Sequence, residues 1–487
     1  MASQDEQRPL LEDIVDDAAV ESTFASFKEH DPKNPREWAS SFKWFVLWIL
    51  AFCAFTVTWT CIMIAPIAKQ IIDELSPGGS TKSAKVLLVS IWEIGEAAGP
   101  LLIAPLSEYF GRKPVIHVCS VVAVIATVIS CTAPSTNVLI MGRLLSGAMV
   151  TVNVLNPAII GDILAPEERG TAMSLMLLAP LAGGTFGPAF AGFAAERWHW
   201  RFAMLTSVVI VAAASVTLFL TFKETYGPVI LKKRAAKAAS EGQPIVTEAD
   251  AVENADSEKA KLLDAIFRPA KLLYSSGILL VLSLYTAVAF SYIYVVAVAV
   301  PEIVEGIYGL SPTHTGFIFI ANGIGSIFGI LAARATLDPI YIRLKAANNG
   351  VGKPEFRLPM AIVGCLILGP CIMVFGWSAS LRWPLWVGVT TLVIMRVGML
   401  LSFVPIHAYV VDAFGLFAAS AMTAVIVLRC LGAAFLPLLT EYLAGQYGYG
   451  LSFTMCGTFT ICSLVVPLTI YYKGEKWRQR CKYSMSA

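Results

Sequence analysis

Gly99-Pro100-Leu101-Leu102-Ile103-Ala104-Pro105-Leu106-Ser107-Glu108-Tyr109-Phe110-Gly111-Arg112-Lys113-Pro114 is the stretch that decides the fold class. An apolar run leaves the bilayer, turns within a few residues, and re-enters as a second apolar run at Val115. Gly111 permits the tight turn. Arg112 and Lys113 fix that turn on the cytoplasmic side of a membrane. Glu108 is suited to accept hydrogen bonds from free backbone N–H groups at a neighbouring helix end, where negative charge is favoured.

The rest of the chain fits that reading. Of 487 residues, 56 % are hydrophobic and only 14 % charged, against roughly 25 % charged in an ordinary soluble domain. Mean hydropathy is +0.69. The composition is that of an all-α membrane protein with many spans. A net charge of +2 gives no reason to expect nucleic acid as a partner. The ten cysteines lie mostly in apolar runs, among them Cys53, Cys61, Cys119, Cys365 and Cys430, and form no Cys-x-x-Cys pair. They read as small apolar fillers, not as disulfides or metal ligands.

Twelve apolar runs are each long enough to cross a bilayer as a helix of about 20 residues. They fall near 44–66, 85–106, 115–133, 138–160, 172–194, 203–222, 276–299, 314–334, 359–378, 385–410, 419–442 and 451–472. The expected organisation is a polar tail over 1–43, six helices over 44–222, a charged linker over 223–275, six helices over 276–472, and a tail over 473–487. Within the first tail, Glu6-Gln7-Arg8-Pro9-Leu10-Leu11 fits an acidic dileucine sorting pattern, which leaves a vacuolar membrane open beside the plasma membrane. With both ends in the cytoplasm, cytoplasmic segments hold 27 Lys and Arg and external loops 6. That asymmetry sets the expected orientation.

Ionisable groups at membrane depth are expensive and are functional candidates by default. Glu93 and Glu96 lie three apart on one face of span 2, so they interact. Burial and mutual repulsion disfavour ionising both, which makes one a candidate proton carrier. Arg143, about one turn into span 4, is placed by depth to reach Glu93. Coupling and a structural ion pair between spans 2 and 4 both fit that placement. Arg396 and Arg429 lie near the middle of spans 10 and 11, and His407 nearer the inner end of span 10. A guanidinium cannot shed its charge, and the second half offers no acid at that depth. Either an anionic ligand or pairing across the halves with Glu93 or Glu96 satisfies them. Tyr285, Phe290, Tyr292 and Tyr294 of span 7 offer aromatic surface to a cavity, a packed core or lipid; Tyr285 and Tyr292 are the expected substrate contacts.

Several motifs carry a family resemblance. The opening stretch resembles motif A of the major facilitator superfamily in the Pro-Leu-Ser-Glu-x-x-Gly-Arg-Lys form of fungal drug/proton antiporters, with Ala104 and Glu108 standing for the usual Gly and Asp. Gly142-Arg143-Leu144-Leu145-Ser146-Gly147 resembles motif B. Residues 179–192 of span 5 resemble the antiporter motif C, with its Gly-Pro at Gly187-Pro188. Asn34-Pro35-Arg36-Glu37-Trp38, Lys353-Pro354-Glu355-Phe356-Arg357-Leu358-Pro359 and Val411-Asp412-Ala413-Phe414-Gly415 resemble signatures of the same fungal group. The resemblance implies a major facilitator fold of twelve transmembrane helices in two six-helix halves around a central site. It implies a gate or latch at Glu108, Gly111, Arg112, Lys113, Gly187, Pro188 and Asp412, and proton coupling through Arg143 with Glu93 and Glu96. The implied activity is proton-driven export of a small organic molecule by a monomer that uses no cofactor and no metal. The excess of buried arginines, with His407 beside them, tilts the cargo towards an organic acid. Alternatives are uptake, efflux of neutral or cationic amphiphiles, and a non-transporting receptor. An enzyme is not expected, and no P-loop is present: Gly352-Lys353 is followed by Pro354 and lacks the upstream glycine.

Overall fold

Glycine spacing sets which helices approach closely, and the approach sets which side chains face inward. The computed structural model describes residue 27 and residues 31–76, 82–165, 168–240 and 255–478. The sorting pattern at residues 6–11, the central part of the linker and the end of the C-tail lie outside the described residues.

Span 1 runs Ser40–Ile62 and is prolonged by Ala68–Leu75 after a break at Pro66. Spans 2 and 3 are Lys82–Tyr109 and Arg112–Cys131. Span 4 is two pieces, Thr136–Ala148 and Val152–Ile163. Spans 5 and 6 are Arg169–Arg197 and Trp200–Thr221. Helices Gly227–Ser240 and Ala255–Ser275 belong to the linker. Spans 7 to 10 are Gly277–Pro301, Pro312–Ala347, Pro359–Ser380 and Leu385–Phe414. Spans 11 and 12 share the element Ala418–Cys462, broken at Gly448, whose φ of 75° supplies the reversal; Val465–Arg478 completes span 12. Spans 2 and 4 interlock within the first half; spans 9, 10 and 12 interlock within the second.

Added Cβ atoms at Gly95 and Gly99 would stand 2.2 Å from the carbonyl oxygens of Leu144 and Ala148. Small residues four apart therefore seat span 2 on span 4. That contact fixes the rotation of span 2 and turns Glu93 and Glu96 away from span 4, towards the centre. Gly325 does the same for span 8 against span 10, where its added Cβ would meet the Arg396 Cβ at 3.0 Å.

The halves meet firmly at the face opposite Gly111. Lys85 Nζ lies 3.3 Å from Glu302 Oε1. The Thr313 N–H donates to Glu196 Oε2 at 3.3 Å. A Cβ on Gly192 would stand 2.2 Å from the Pro312 carbonyl oxygen. Gly192→Val is therefore expected to pry spans 5 and 8 apart there, since overpacking costs about 1–3 kcal/mol. A cysteine introduced at Phe319 should then label roughly five- to a hundredfold faster with an impermeant maleimide added on that face, the range that energy spans. Unchanged labelling would mean that this contact does not hold the face shut.

At the Gly111 face Arg112 and Arg357 form their ion pairs within their own halves. Gly111 has φ 98° and a carboxylate oxygen of Glu224 where a Cβ would sit. Glu224 accepts from the backbone N–H of Arg112 at 2.9 Å and of Lys113 at 3.1 Å, at the positive end of span 3. The Arg112 guanidinium donates to Ser107 Oγ at 2.6 Å, lies 3.5 Å from Asp162 Oδ2, and covers the Tyr226 ring. The helix-end acceptor expected at Glu108 is thus Glu224. Glu108 is exposed and, among the described residues, its side chain forms no hydrogen bond. In the second half Arg357 bridges Asp338 at 2.8 Å and Asp412 at 3.1 Å.

Arg112→Ala leaves the half-buried Asp162 without its cation and removes the bond to Ser107, which costs about 1–3 kcal/mol. Glu108→Ala should cost under about 0.5 kcal/mol, as for a surface change away from any contact. Thermal unfolding of the two purified variants checks the contrast. Equal destabilisation would remove the assigned roles.

Candidate central site

A cavity of about 310 Å³ lies between the halves at mid-depth. Glu93 and Glu96 line one side and Arg396 another; Phe290, Tyr294, Phe319 and Phe403 supply aromatic wall. It begins at Thr185 and Gly323, where spans 5 and 8 touch, and extends past Leu181 and Ile330 towards the Gly111 face.

The acids of the first half are held by the second. Glu93, 1 % exposed, accepts from the Tyr294 hydroxyl at 2.5 Å. Arg429 Nη2 donates to Glu96 Oε1 at 3.3 Å, and its guanidinium lies 4.2 Å from the Phe290 ring centre. The Cys430 thiol completes a cluster in which Glu93, Glu96 and Cys430 bring one ligand atom each within 4.8 Å of one another. Arg429 is the cation that balances this crowding of acceptors. The Tyr294 hydroxyl also contacts Cys61 Sγ at 3.2 Å, so one side chain of span 7 bridges spans 1 and 2.

Arg396 is satisfied differently. Its Nε donates to Ser326 Oγ at 2.7 Å, and its Nη1 makes a long 3.4 Å contact with the Met399 sulfur. Among the described residues no carboxylate pairs with it, and its guanidinium borders the cavity.

A family model described as Major Facilitator Superfamily matches residues 47–437. The chain belongs to the major facilitator superfamily. It is a multi-pass membrane protein with the fold of a transporter, and its relatives are transporters. The "MFS transporter cpaT" of Aspergillus oryzae is 33 % identical over 457 residues, 94 % of this chain and 92 % of that one. The "Efflux pump radE" of Floropilus chiversii is 28 % identical, covering 93 % and 84 %. Among solved structures, a D-xylose-proton symporter superposes with a TM-score of 0.67 at 16 % identity, over 88 % of this chain and 97 % of that one. The human organic anion transporter MFSD10 gives 0.57, also at 16 %, over 87 % and 98 %.

In this major facilitator the expected site residues part into three groups. Glu93, Glu96, Arg396 and Arg429 meet at the cavity. Arg143 does not pair with Glu93. Buried to 1 % exposure, it donates to the carbonyls of Thr60 at 3.2 Å and Cys61 at 2.7 Å and lies over Trp92. Pro66 interrupts span 1 just beyond, leaving these carbonyls as a helix end that favours a cation. Tyr285 does not reach the cavity, and Tyr292 lines only the small recess beside it that Arg396 and Asn322 share. Tyr285 donates to the Ala361 carbonyl at 3.3 Å in the core of the second half, and Tyr292 to the Cys456 carbonyl at 3.0 Å. Seven residues apart, they share a face of span 7 that packs on spans 9 and 12. Phe290 and Tyr294 share the face that looks into the cavity. His407 packs against Phe403 with ring centres 4.0 Å apart, and is not a lining residue.

Gly187 and Pro188 act as packing surface. A Cβ at Gly187 would meet the Trp59 carbonyl oxygen at 3.0 Å, and the Pro188 carbonyl oxygen sits 2.8 Å from a Cβ built on Gly316. The residue that sequence reasoning missed is Asn322 of span 8, which lines both the cavity and a small recess beside Arg396. A lone amide in the run Phe317-Ile318-Phe319-Ile320-Ala321-Asn322 was the available signal.

Proposed function

We propose that this protein is a proton-coupled antiporter that exports a small organic acid. Residues 44–222 and 276–472 are read as the two rocking halves, with both termini cytoplasmic and the plasma membrane as the site. One observation carries the cargo class: Arg396 faces the cavity with no carboxylate to neutralise it among the described residues. Burying an uncompensated cation is costly, and a cargo carboxylate removes that cost. The coupling assignment is supported by Glu93 and Glu96, whose partners Tyr294 and Arg429 lie across the interface. A proton on either acid weakens a contact that joins the halves. Export is supported by the antiporter-like run around Gly187-Pro188 and by an efflux pump among the relatives.

Inside-out vesicles carrying the protein, with an acid interior, test the proposal. Accumulation of an organic anion above that in protein-free vesicles is expected, together with its loss when a protonophore collapses the gradient. Accumulation that persists without the gradient would exclude proton coupling. Preference for a cationic drug, undiminished in Arg396→Ala, would exclude the acid reading.

A further inference from the structure

We infer that the cargo carries a single carboxylate on a largely apolar, ring-bearing body, and that Asn322 binds that carboxylate alongside Arg396. The inference rests on the organic-acid reading above and decides among the acids it admits.

The first ground is charge. Of the two mid-depth guanidiniums, Arg429 is paired with Glu96 and covered by Phe290. Arg396 is left to meet one carboxylate. Glu93 and Glu96 form another part of the same wall. A second cargo carboxylate in this space would face them, and like charges in a desolvated site repel strongly.

The second ground is the shape of the wall. Phe290 and Phe403 stack with ring centres 5.8 Å apart, and Phe319 and Tyr294 add further aromatic surface. A cavity of about 310 Å³ so lined sits at the low end of the range for organic ligands, which bury most of their surface against such walls. A small hydrophilic polyacid leaves that surface unused.

The third ground is the donor set. Ser326 takes the Nε of Arg396, which fixes the plane of the guanidinium and leaves Nη2, and Nη1 apart from its long contact with the Met399 sulfur, for a carboxylate. Asn322 lies one turn before Ser326 on span 8. Its side-chain amide forms no hydrogen bond among the described residues and borders the recess that Arg396 also lines. A carboxylate accepts more than two hydrogen bonds, so an amide N–H fills a place that Arg396 leaves open. Asn322 is thereby a specificity residue.

Binding of four probes to the purified full-length protein, followed by tryptophan fluorescence, tests this: 2-naphthoate, naphthalene-2,6-dicarboxylate, citrate and 2-naphthamide. 2-Naphthoate should bind at least tenfold more tightly than each of the others. Asn322→Leu should weaken 2-naphthoate about tenfold with the unliganded melting temperature unchanged, and Asn322→Gln should recover part of the loss. A dicarboxylate or citrate binding as tightly as 2-naphthoate, and still weakened by Arg396→Ala, overturns the single-carboxylate inference and leaves the organic-acid reading standing. 2-Naphthamide binding as well as 2-naphthoate, with no effect of Arg396→Ala, overturns the organic-acid reading itself. No binding of any probe overturns the ring-bearing cargo, and normal 2-naphthoate binding by Asn322→Leu removes Asn322 from the site.

Discussion

Arg396→Ala is expected to lower organic-anion transport by about tenfold to a hundredfold while the protein still folds and reaches the membrane. The magnitude follows from a charge-assisted hydrogen bond, worth about 1.5–3 kcal/mol. Folding should survive because Arg396 is tied into the protein by one hydroxyl and one sulfur, and Ser326 keeps its bond to the Asn322 carbonyl at 3.2 Å. Arg396→Lys should restore little: an ammonium on a flexible stem cannot offer two parallel N–H groups to a carboxylate. Initial rates in inside-out vesicles, normalised to the amount of protein, measure the effect. Acid transport at the wild-type rate in Arg396→Ala would show that this arginine only braces span 10 against span 8.

The spans were legible because bilayer thickness demands long apolar runs, and because charge at membrane depth stands out in such a sequence. Glu93, Glu96, Arg396 and Arg429 were found in that way. Their partners were legible only as alternatives, an anionic ligand or Glu93 or Glu96 across the halves, because the docking of the two halves decides that Arg429 takes Glu96 while Arg396 takes neither. Glu96 and Arg429 are 333 residues apart and meet only through that docking. The rotation of span 7 was equally hidden: its side chains are apolar almost all round, so no polar face announces which tyrosine looks inward. Phe290 and Tyr294 take that role because Gly432 seats span 11 against Ala287 and Ser291 on another side of the helix. Arg143 misled for a different reason. Its partners are backbone carbonyls released by a proline break in span 1, and a search for opposite charges passes over carbonyls. Glu108 was the natural anion for the basic turn by adjacency, yet Glu224, more than a hundred residues on, occupies the helix end.

The pairing across the halves gives the other large effect. Glu96→Gln removes the anion opposite Arg429 and strands a buried guanidinium, at a cost of about 3–5 kcal/mol. The reverse change, Arg429→Met, should cost less, because Glu96 can take up a proton and become neutral whereas a guanidinium cannot. Joining the two changes replaces the ion pair by a neutral contact between the same helices, and such replacements are often neutral or stabilising. The double variant Glu96→Gln/Arg429→Met should therefore regain most of the stability lost in Glu96→Gln, a coupling of about 2–3 kcal/mol by double-mutant cycle. It should nonetheless fail to respond to a pH gradient, since the proposed proton site and the contact that a proton there would break are both gone. Thermal unfolding of the four proteins measures the first half of this expectation, and gradient-driven transport in vesicles the second. Strictly additive stabilities would mean that Glu96 and Arg429 do not act as a pair. A double variant that is stable and still driven by the gradient would move the coupling role to Glu93 and Tyr294.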